Sequence, residues 1–242
     1  MLERSGAERT RNRLYIMVLQ AVGRVLRWKS KKDRERPVDQ KKTYLDGDVI
    51  RAQVTDCDFG ALVQLPDAID HNEWLATHTT TFFNHISLQY STISEYCTSQ
   101  TCPSMAIPGT MLHWQDGEKG KKVKLAAPQY VDCVMCSVQQ LVTNESIFPT
   151  KFGHEFPPAF ATYIQRIFRL CFHVLAHLYH SHFRETVALD LHSHLNSLYV
   201  HFITFALQFS LLPPAELAPL SDLTDALCIS SASAPHNRSP RT

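Results

Sequence analysis

Cys97-Thr-Ser-Gln-Thr-Cys102 is a pair of cysteines separated by four residues, and the later stretch His177-Leu-Tyr-His-Ser-His182 spaces two histidines in the same way. Thiolates and neutral imidazoles are the ligands that a tetrahedral structural zinc ion prefers. A metal shared by the two stretches would join segments about 75 residues apart in the chain. A site with four protein ligands has no open coordination position, so the pattern favours a scaffold over a metalloenzyme.

Other side chains compete as ligands, because the chain has seven cysteines and thirteen histidines. Cys133 and Cys136 form a C-x-x-C in a run that reads as a helix, where cysteine is commonly a small buried hydrophobe. His173 and His177 share one helix face, whereas His177 and His182 lie about 140° apart around a helix. Residue chemistry therefore predicts a zinc site but leaves its ligands open.

The charge of the chain is unevenly distributed. Residues 1–51 contain 14 Lys or Arg and 7 Asp or Glu, whereas residues 52–242 contain the remaining 10 basic and 16 acidic residues, a difference of −6. An acidic folded body argues against a nucleic-acid partner and suits a basic protein partner. The odd number of cysteines favours reduced thiols inside the cell over disulfides.

The pattern along the chain predicts one mostly helical domain over residues 45–228. Residues 1–44 are interpreted as a basic variable extension and linker, and residues 229–242 as a disordered tail. The apolar run at 14–23 is too short to span a membrane, so no transmembrane segment is expected. Asp70 is a candidate cap for the first long helix. One hairpin is predicted, with strands at Met111–Trp114 and Val123–Leu125.

Motifs of common enzyme classes are absent from the sequence. It contains no Gly-rich phosphate loop, no G-x-S-x-G and no H-E-x-x-H. The protein is therefore expected not to be an enzyme. The alternative is a zinc-dependent hydrolase or deaminase, in which His113 or His154 supplies a third ligand.

Several motifs together resemble the Mob family over residues 45–228. They are Leu65-Pro, Asn72-Glu-Trp74, Phe82-Phe-Asn-His-Ile86, Ile93-Ser-Glu-Tyr-Cys97, Cys102-Pro, Ala127-Pro-x-Tyr130, Phe148-Pro-Thr-Lys151, Ala176-His-x-Tyr-His-x-His182-Phe and His194-Leu-Asn196. The runs Thr79-Thr-Thr-Phe-Phe83 and Leu198-Tyr-Val-His-Phe202 are similar to the second class of that family, the partners of NDR-type kinases.

The resemblance implies a helical-bundle Mob domain with a small hairpin and a structural zinc ion, and it selects Cys97, Cys102, His177 and His182 as ligands. It also implies a non-catalytic adaptor in the cytoplasm and nucleus. Such an adaptor binds the basic N-terminal regulatory segment of NDR-type AGC kinases, in competition with an activating Mob. Asp70, Glu73 and Trp74 match the kinase-facing start of the first long helix.

Two departures from the first Mob class affect its partners. That class has a Lys-Arg-x-x-Arg cluster that clamps a phosphorylated peptide, and this chain has Arg169, Leu170 and His173 in those places. We therefore expect a degraded phosphopeptide pocket. The first class also has an Asp where this chain has Thr81, in its contact with LATS-type kinases, so binding to those kinases is disfavoured.

Overall fold

Helices make up most of the chain that the structure describes, as predicted. A computed structural model describes residues 42–115, 120–151 and 153–227. The predicted tail 229–242, and all but residues 42–44 of the predicted extension, lie outside these ranges. Of the described helices, none is long and apolar enough to cross a membrane.

The elements have the following bounds. The α-helices are α1 (Gly47–Ile50), α2 (Phe59–Leu62), α3 (His71–Ser91), α4 (Ala127–Val142), α5 (Phe160–Ser181), α6 (Phe183–Ala188), α7 (His192–Gln208), α8 (Pro214–Leu217) and α9 (Ser221–Ala226). The strands are β1 (Met105–Ile107), β2 (Thr110–Leu112), β3 (Trp114–Gln115) and β4 (Lys122–Val123). Short 3-10 helices cover Thr43–Leu45 and Ala218–Leu220.

Helix α3 begins where the sequence predicted. The side chain of Asp70 accepts hydrogen bonds from the N–H groups of Asn72 at 2.8 Å and Glu73 at 3.2 Å, which satisfies two donors that a helix start leaves unpaired. Leu75, Thr79, Phe82 and Ile86 recur at the spacing of one helix face, which predicts a core helix, and all four are buried. Tyr90, on the same face, is only partly buried.

Aromatic rings fill the space where α3, α5 and α7 meet. Phe82 of α3 contacts Phe168 of α5 edge to face at 5.9 Å and Phe202 of α7 at 5.4 Å, and Phe168 stacks on Phe202 at 4.8 Å between ring centroids. All three rings are fully buried. Burial of one such side chain contributes about 1.5–3 kcal/mol, so this cluster fixes the three helices against one another.

Two hairpins lie between α3 and α4, where the sequence predicted one. β1 pairs antiparallel with β2, and β3 pairs antiparallel with β4. Met111, predicted to lie in the same strand as Trp114, instead pairs with Ala106 in the first hairpin. That hairpin turns at Pro108-Gly109, where Gly109 has a φ of 77°, a left-handed conformation that glycine adopts without strain.

A buried asparagine fastens the start of the domain to its core. Asn196 donates from Nδ2 to the carbonyl oxygens of Val49, Ile50 and Ala52 at 2.9–3.1 Å, and its Oδ1 accepts from the Tyr179 hydroxyl at 2.9 Å. These backbone groups lie more than 140 residues earlier in the chain. The network therefore connects the first described turns to α5 and α7.

Tyr44 also belongs to the core, although the sequence placed it at the end of the extension. It is 3% exposed, and its ring meets Tyr179 at 5.8 Å and Phe183 at 6.4 Å. The packed domain therefore includes residues just before position 45.

Asn196→Ala should lower the free energy of unfolding by about 2–4 kcal/mol, because it leaves buried carbonyls and a buried hydroxyl without partners. Asn84→Ala is the matched control, since Asn84 is exposed on α3. Urea unfolding measures both variants. Equal losses in the two variants would contradict a stabilising role for the Asn196 network.

Candidate metal centre

Four side chains from distant parts of the chain meet where α3 and α5 end. Cys97 Sγ lies 3.5 Å from His177 Nε2, and Cys102 Sγ lies 3.3 Å from His182 Nε2. One ligand atom from each of the four lies within 4.8 Å of every other, and all four residues are buried. Tetrahedral zinc with ordinary bond lengths separates sulfur and nitrogen ligands by about 3.6 Å, so these donors fit such an ion.

The cysteines are positioned by a tight turn after α3. Thr101 Oγ1 donates to the carbonyl oxygen of Tyr96 at 2.6 Å and accepts from the N–H of Thr98 at 2.9 Å. The N–H of Cys102 then donates to the carbonyl oxygen of Thr98 at 2.8 Å. The threonines between the cysteines thus fold the loop so that both sulfur atoms face α5.

The histidines reach one point because the helix ends between them. His177 lies within α5, whereas His182 is its C-terminal cap, with φ −131° and ψ 14°. Their ring centroids are 5.1 Å apart. On a continuous helix the two side chains would diverge by about 140°, so the break at His182 is what brings them together.

Neighbouring groups orient the His177 ring and lower the pKa of Cys102, and both effects favour metal binding. His177 Nδ1 lies 2.8 Å from the carbonyl oxygen of Ala106 on β1, which orients the ring and leaves Nε2 for the ion. Contact with Cys97 lowers the pKa of Cys102, and the two histidines lower it further. Burial raises the pKa of Tyr90, so its hydroxyl stays protonated and can donate to Cys97.

The other cysteines and histidines that the sequence offered as metal ligands lie outside this cluster. Within the described residues this is the only cluster of three or more Cys, His, Asp or Glu arranged to hold a metal. Neither His113 nor His154 belongs to it, nor do Cys133 and Cys136 on α4. His173, which spacing alone left open, points to other partners described below.

The four residues predicted to contact a protein partner do not form one compact site. Asp70 and Glu73 are exposed at the start of α3. Trp74 is half-buried, and its indole N–H donates to the carbonyl oxygen of Val63 at 3.3 Å. Thr81 lies about 12 Å further along the helix axis than Glu73, and its hydroxyl donates to the carbonyl oxygen of Thr77 at 2.8 Å.

Glu73 borders a cavity of about 520 Å³, which we call the Glu73 groove. One wall is the exposed face of α3, and the other is the loop between α4 and α5. The lining residues are Glu73, Ala76, Thr77, Thr80, Val142, Phe148, Pro149, Thr150, Lys151, Gly153, His154 and Phe156. Sequence reasoning did not connect the motif Phe148-Pro-Thr-Lys151 with Glu73, because only the fold brings them together.

The residues of the expected phosphopeptide pocket follow one another along α5. Arg169 is exposed, whereas Leu170 is 7% exposed. Burial raises the pKa of Tyr130 to about 12, so its hydroxyl stays protonated, and it forms a hydrogen bond of 2.8 Å with His173 Nδ1. His173 Nε2 lies 3.7 Å from Glu216, so this imidazole is already engaged on both sides.

Purified protein should contain one bound metal ion, and His177→Ala should lose it and melt at a lower temperature, because metal binding is coupled to folding. His194→Ala is the control, since His194 is exposed on α7. Elemental mass spectrometry measures the metal and calorimetry the melting temperature. Metal-free protein that melts at an unchanged temperature would contradict this prediction.

Known proteins are similar in sequence to this chain over most of its length. A model of the Mob1/phocein family matches residues 51–220. MOB kinase activator 2 of Homo sapiens is 57% identical over 201 residues, which cover 83% of this chain and 84% of that protein. The Mus musculus protein of the same name is 56% identical over 203 residues, covering 84% and 86%. MOB kinase activator-like 2 of Drosophila melanogaster is 46% identical over 198 residues, covering 80% of this chain and 35% of that protein. The chain belongs to the Mob1/phocein family.

Proposed function

We propose that this protein is a non-catalytic, zinc-binding adaptor. It binds the N-terminal regulatory segment of NDR-type AGC serine/threonine kinases and modulates their activity, in competition with an activating Mob. The observation that carries the proposal is the 56–57% identity to relatives named as kinase activators. The geometry of the metal centre and of the Glu73 groove supports it.

The donor set supports a structural zinc ion. Two thiolates and two imidazoles suit zinc, and four protein ligands fill its tetrahedral coordination. A hydrolase or deaminase needs a coordination position for water, so one of the four buried donors would first have to leave. None of the six cysteines among the described residues forms a disulfide, in keeping with a protein of the cytoplasm and nucleus, where thiols stay reduced.

The start of α3 supports docking of a basic segment. Asp70 and Glu73 place two carboxylates at the start of a rigid helix. The groove beside Glu73 can hold a side chain between α3 and the loop that joins α4 to α5. Ile69, directly before the cap, is 44% exposed and offers apolar contact. Lys151 also lines the groove, so a bound cation is expected to pair with Glu73 at the α3 wall.

Position 81 supports a preference for NDR-type over LATS-type kinases. The Thr81 hydroxyl donates a hydrogen bond to the carbonyl oxygen of Thr77 in its own helix. Threonine also has no carboxylate with which to pair a cation of the partner. A LATS-type segment that places a cation opposite position 81 would therefore find no carboxylate there to pair with. Discrimination against such a segment follows from the missing charge pair.

Glu73→Lys should weaken binding of a purified NDR-type kinase segment about tenfold, because it reverses a charge at the proposed contact. Isothermal titration calorimetry measures the affinity at several salt concentrations. Binding should weaken as salt rises to physiological strength, where the screening length is about 8 Å. A LATS-type segment should bind more weakly than the NDR-type segment.

Glu95→Lys is the matched control for this experiment. Glu95 is exposed beyond the far end of α3, about 30 Å along the axis from Glu73. Glu145 is unsuitable, although sequence alone suggests a distant loop, because its carboxylate binds Thr150, which lines the same groove as Glu73. Affinity that responds neither to salt nor to Glu73→Lys would rule out this docking face, and a kinase segment that fails to bind at all would rule out the proposed function.

A further inference from the structure

Two histidines face each other where α3 packs against α7. The rings of His78 on α3 and His201 on α7 have centroids 6.1 Å apart, with their planes at 88°. Neither belongs to the metal centre or lines the Glu73 groove. The Nε2 atom of His201 is buried and has no hydrogen-bond partner in the described part of the chain. It can stay unprotonated in the neutral ring, whereas a charged ring would bury an N–H donor without an acceptor.

Aromatic rings enclose the two histidines. The ring centroid of His201 lies 5.4 Å from that of Phe59 on α2 and 4.7 Å from that of Phe82 on α3. His78 stacks on Phe205 of α7 at 4.6 Å. We call these five residues the histidine cluster. Its apolar rings replace water around the imidazoles, so the cluster favours the neutral form of both histidines.

The ionisable groups of α3 act against protonation in the same way. Burial, followed by the positive charges of His78 and His85, lowers the pKa of His201 to about 4. Burial also lowers the pKa of His78, although the hydrogen bond that its Nδ1 donates to the carbonyl oxygen of Trp74 acts in the opposite direction. A proton on one histidine therefore opposes a proton on the other.

The elements on the remaining sides supply no counter-ion within the described residues. On α2, Asp58 is exposed and accepts a hydrogen bond from the N–H of Ala61. Helix α5 meets the cluster through Phe168, whose ring lies 5.9 Å from Phe82 and 5.8 Å from Phe205. No described carboxylate contributes to the pKa of His78 or His201. A charge in the closed cluster would thus remain without a partner.

Helix α2 relies on this cluster for its position. None of its four residues is buried, although Val63, which directly follows the helix, is. Phe59 packs on His201, and the carbonyl oxygen of Val63 accepts the indole N–H of Trp74. A short helix with so little buried surface opens locally at low cost.

We propose that the histidine cluster is an acid-sensitive latch, which holds α2 against α3 and α7 while its histidines are neutral and releases α2 when His201 is protonated. The proton comes from the solvent, and the charged imidazole leaves the aromatic site for water. Release of α2 removes the acceptor of the Trp74 indole N–H. Trp74 directly follows Glu73, so the latch changes the surface at the start of α3.

The direction of the pH response follows from the burial of His201. A histidine released into water has a pKa near 6.5, whereas the pKa of His201 in the closed latch is about 4. The closed form is therefore fully favoured above about pH 6.5, and it loses this advantage as the pH falls towards about 4. Between about pH 7 and pH 5, the linkage from His201 alone makes opening about twentyfold more favourable.

Hydrogen exchange of the full chain tests the latch, measured by mass spectrometry at several values from about pH 7 to pH 5 and corrected for the intrinsic exchange rate at each. The amides of Leu62 and Val63 donate to the carbonyl oxygens of Asp58 and Phe59, so they report the opening of α2. Their protection should fall about twentyfold or more on acidification. Unchanged protection would overturn the proposal. So would a fall that begins only after the loop at 97–102 has lost its protection, because acid would then act through the metal centre.

His201→Phe identifies the sensor. Phenylalanine keeps a ring at this position without a titratable nitrogen, so the fall in protection should be about twentyfold smaller than in the unmodified chain. His201→Leu removes the same group with a smaller side chain and should give the same result. His194→Gln is the control, because it removes an exposed histidine from the same helix and should retain the full response. Equal falls in the unmodified chain and in both His201 variants would show that His201 is not the sensor.

Discussion

The convergence of two cysteines and two histidines at the ends of α3 and α5 is the contact on which the rest of the structure depends. It joins a loop at residues 97–102 to a helix end about 75 residues later. In the absence of a metal, two thiols and two imidazoles would be buried at van der Waals distance with few other partners, at a cost in desolvation. A shared ion would convert that cost into a cross-link between α3 and α5, the two longest of the described helices.

Helix α3 also forms one wall of the Glu73 groove. Helix α3 spans about 31 Å, with the metal centre near its C-terminal end and Glu73 near its start. Helix α5 carries Arg169 and Leu170 in its middle, next to Phe168 of the aromatic cluster. A rigid pair of helices holds each surface in a fixed position, which suits an adaptor whose function is to present binding faces.

Much of the fold and of the metal centre was predictable from local sequence, and the features that were not are contacts between residues far apart in the chain. Periodic apolar residues and the Asp70 cap located α3, and the Pro108-Gly109 turn signal was sufficient to predict the hairpin that was missed. Spacing could not choose between His173 and His182, because the choice depends on where α5 ends. The Asn196 network and the proximity of Thr150 to Glu73 involve segments far apart in the chain, and no local pattern encodes them.

Hydrogen exchange measured by mass spectrometry, with and without a zinc chelator, tests the role of the metal centre most directly. With metal bound, amides of the loop at 97–102 and of the last turns of α5 should be protected. Removal of the metal should abolish that protection and reduce protection throughout α3, because the cross-link between the helices is lost. Unchanged protection of the loop and of both helices after complete metal removal would contradict a structural role for the site.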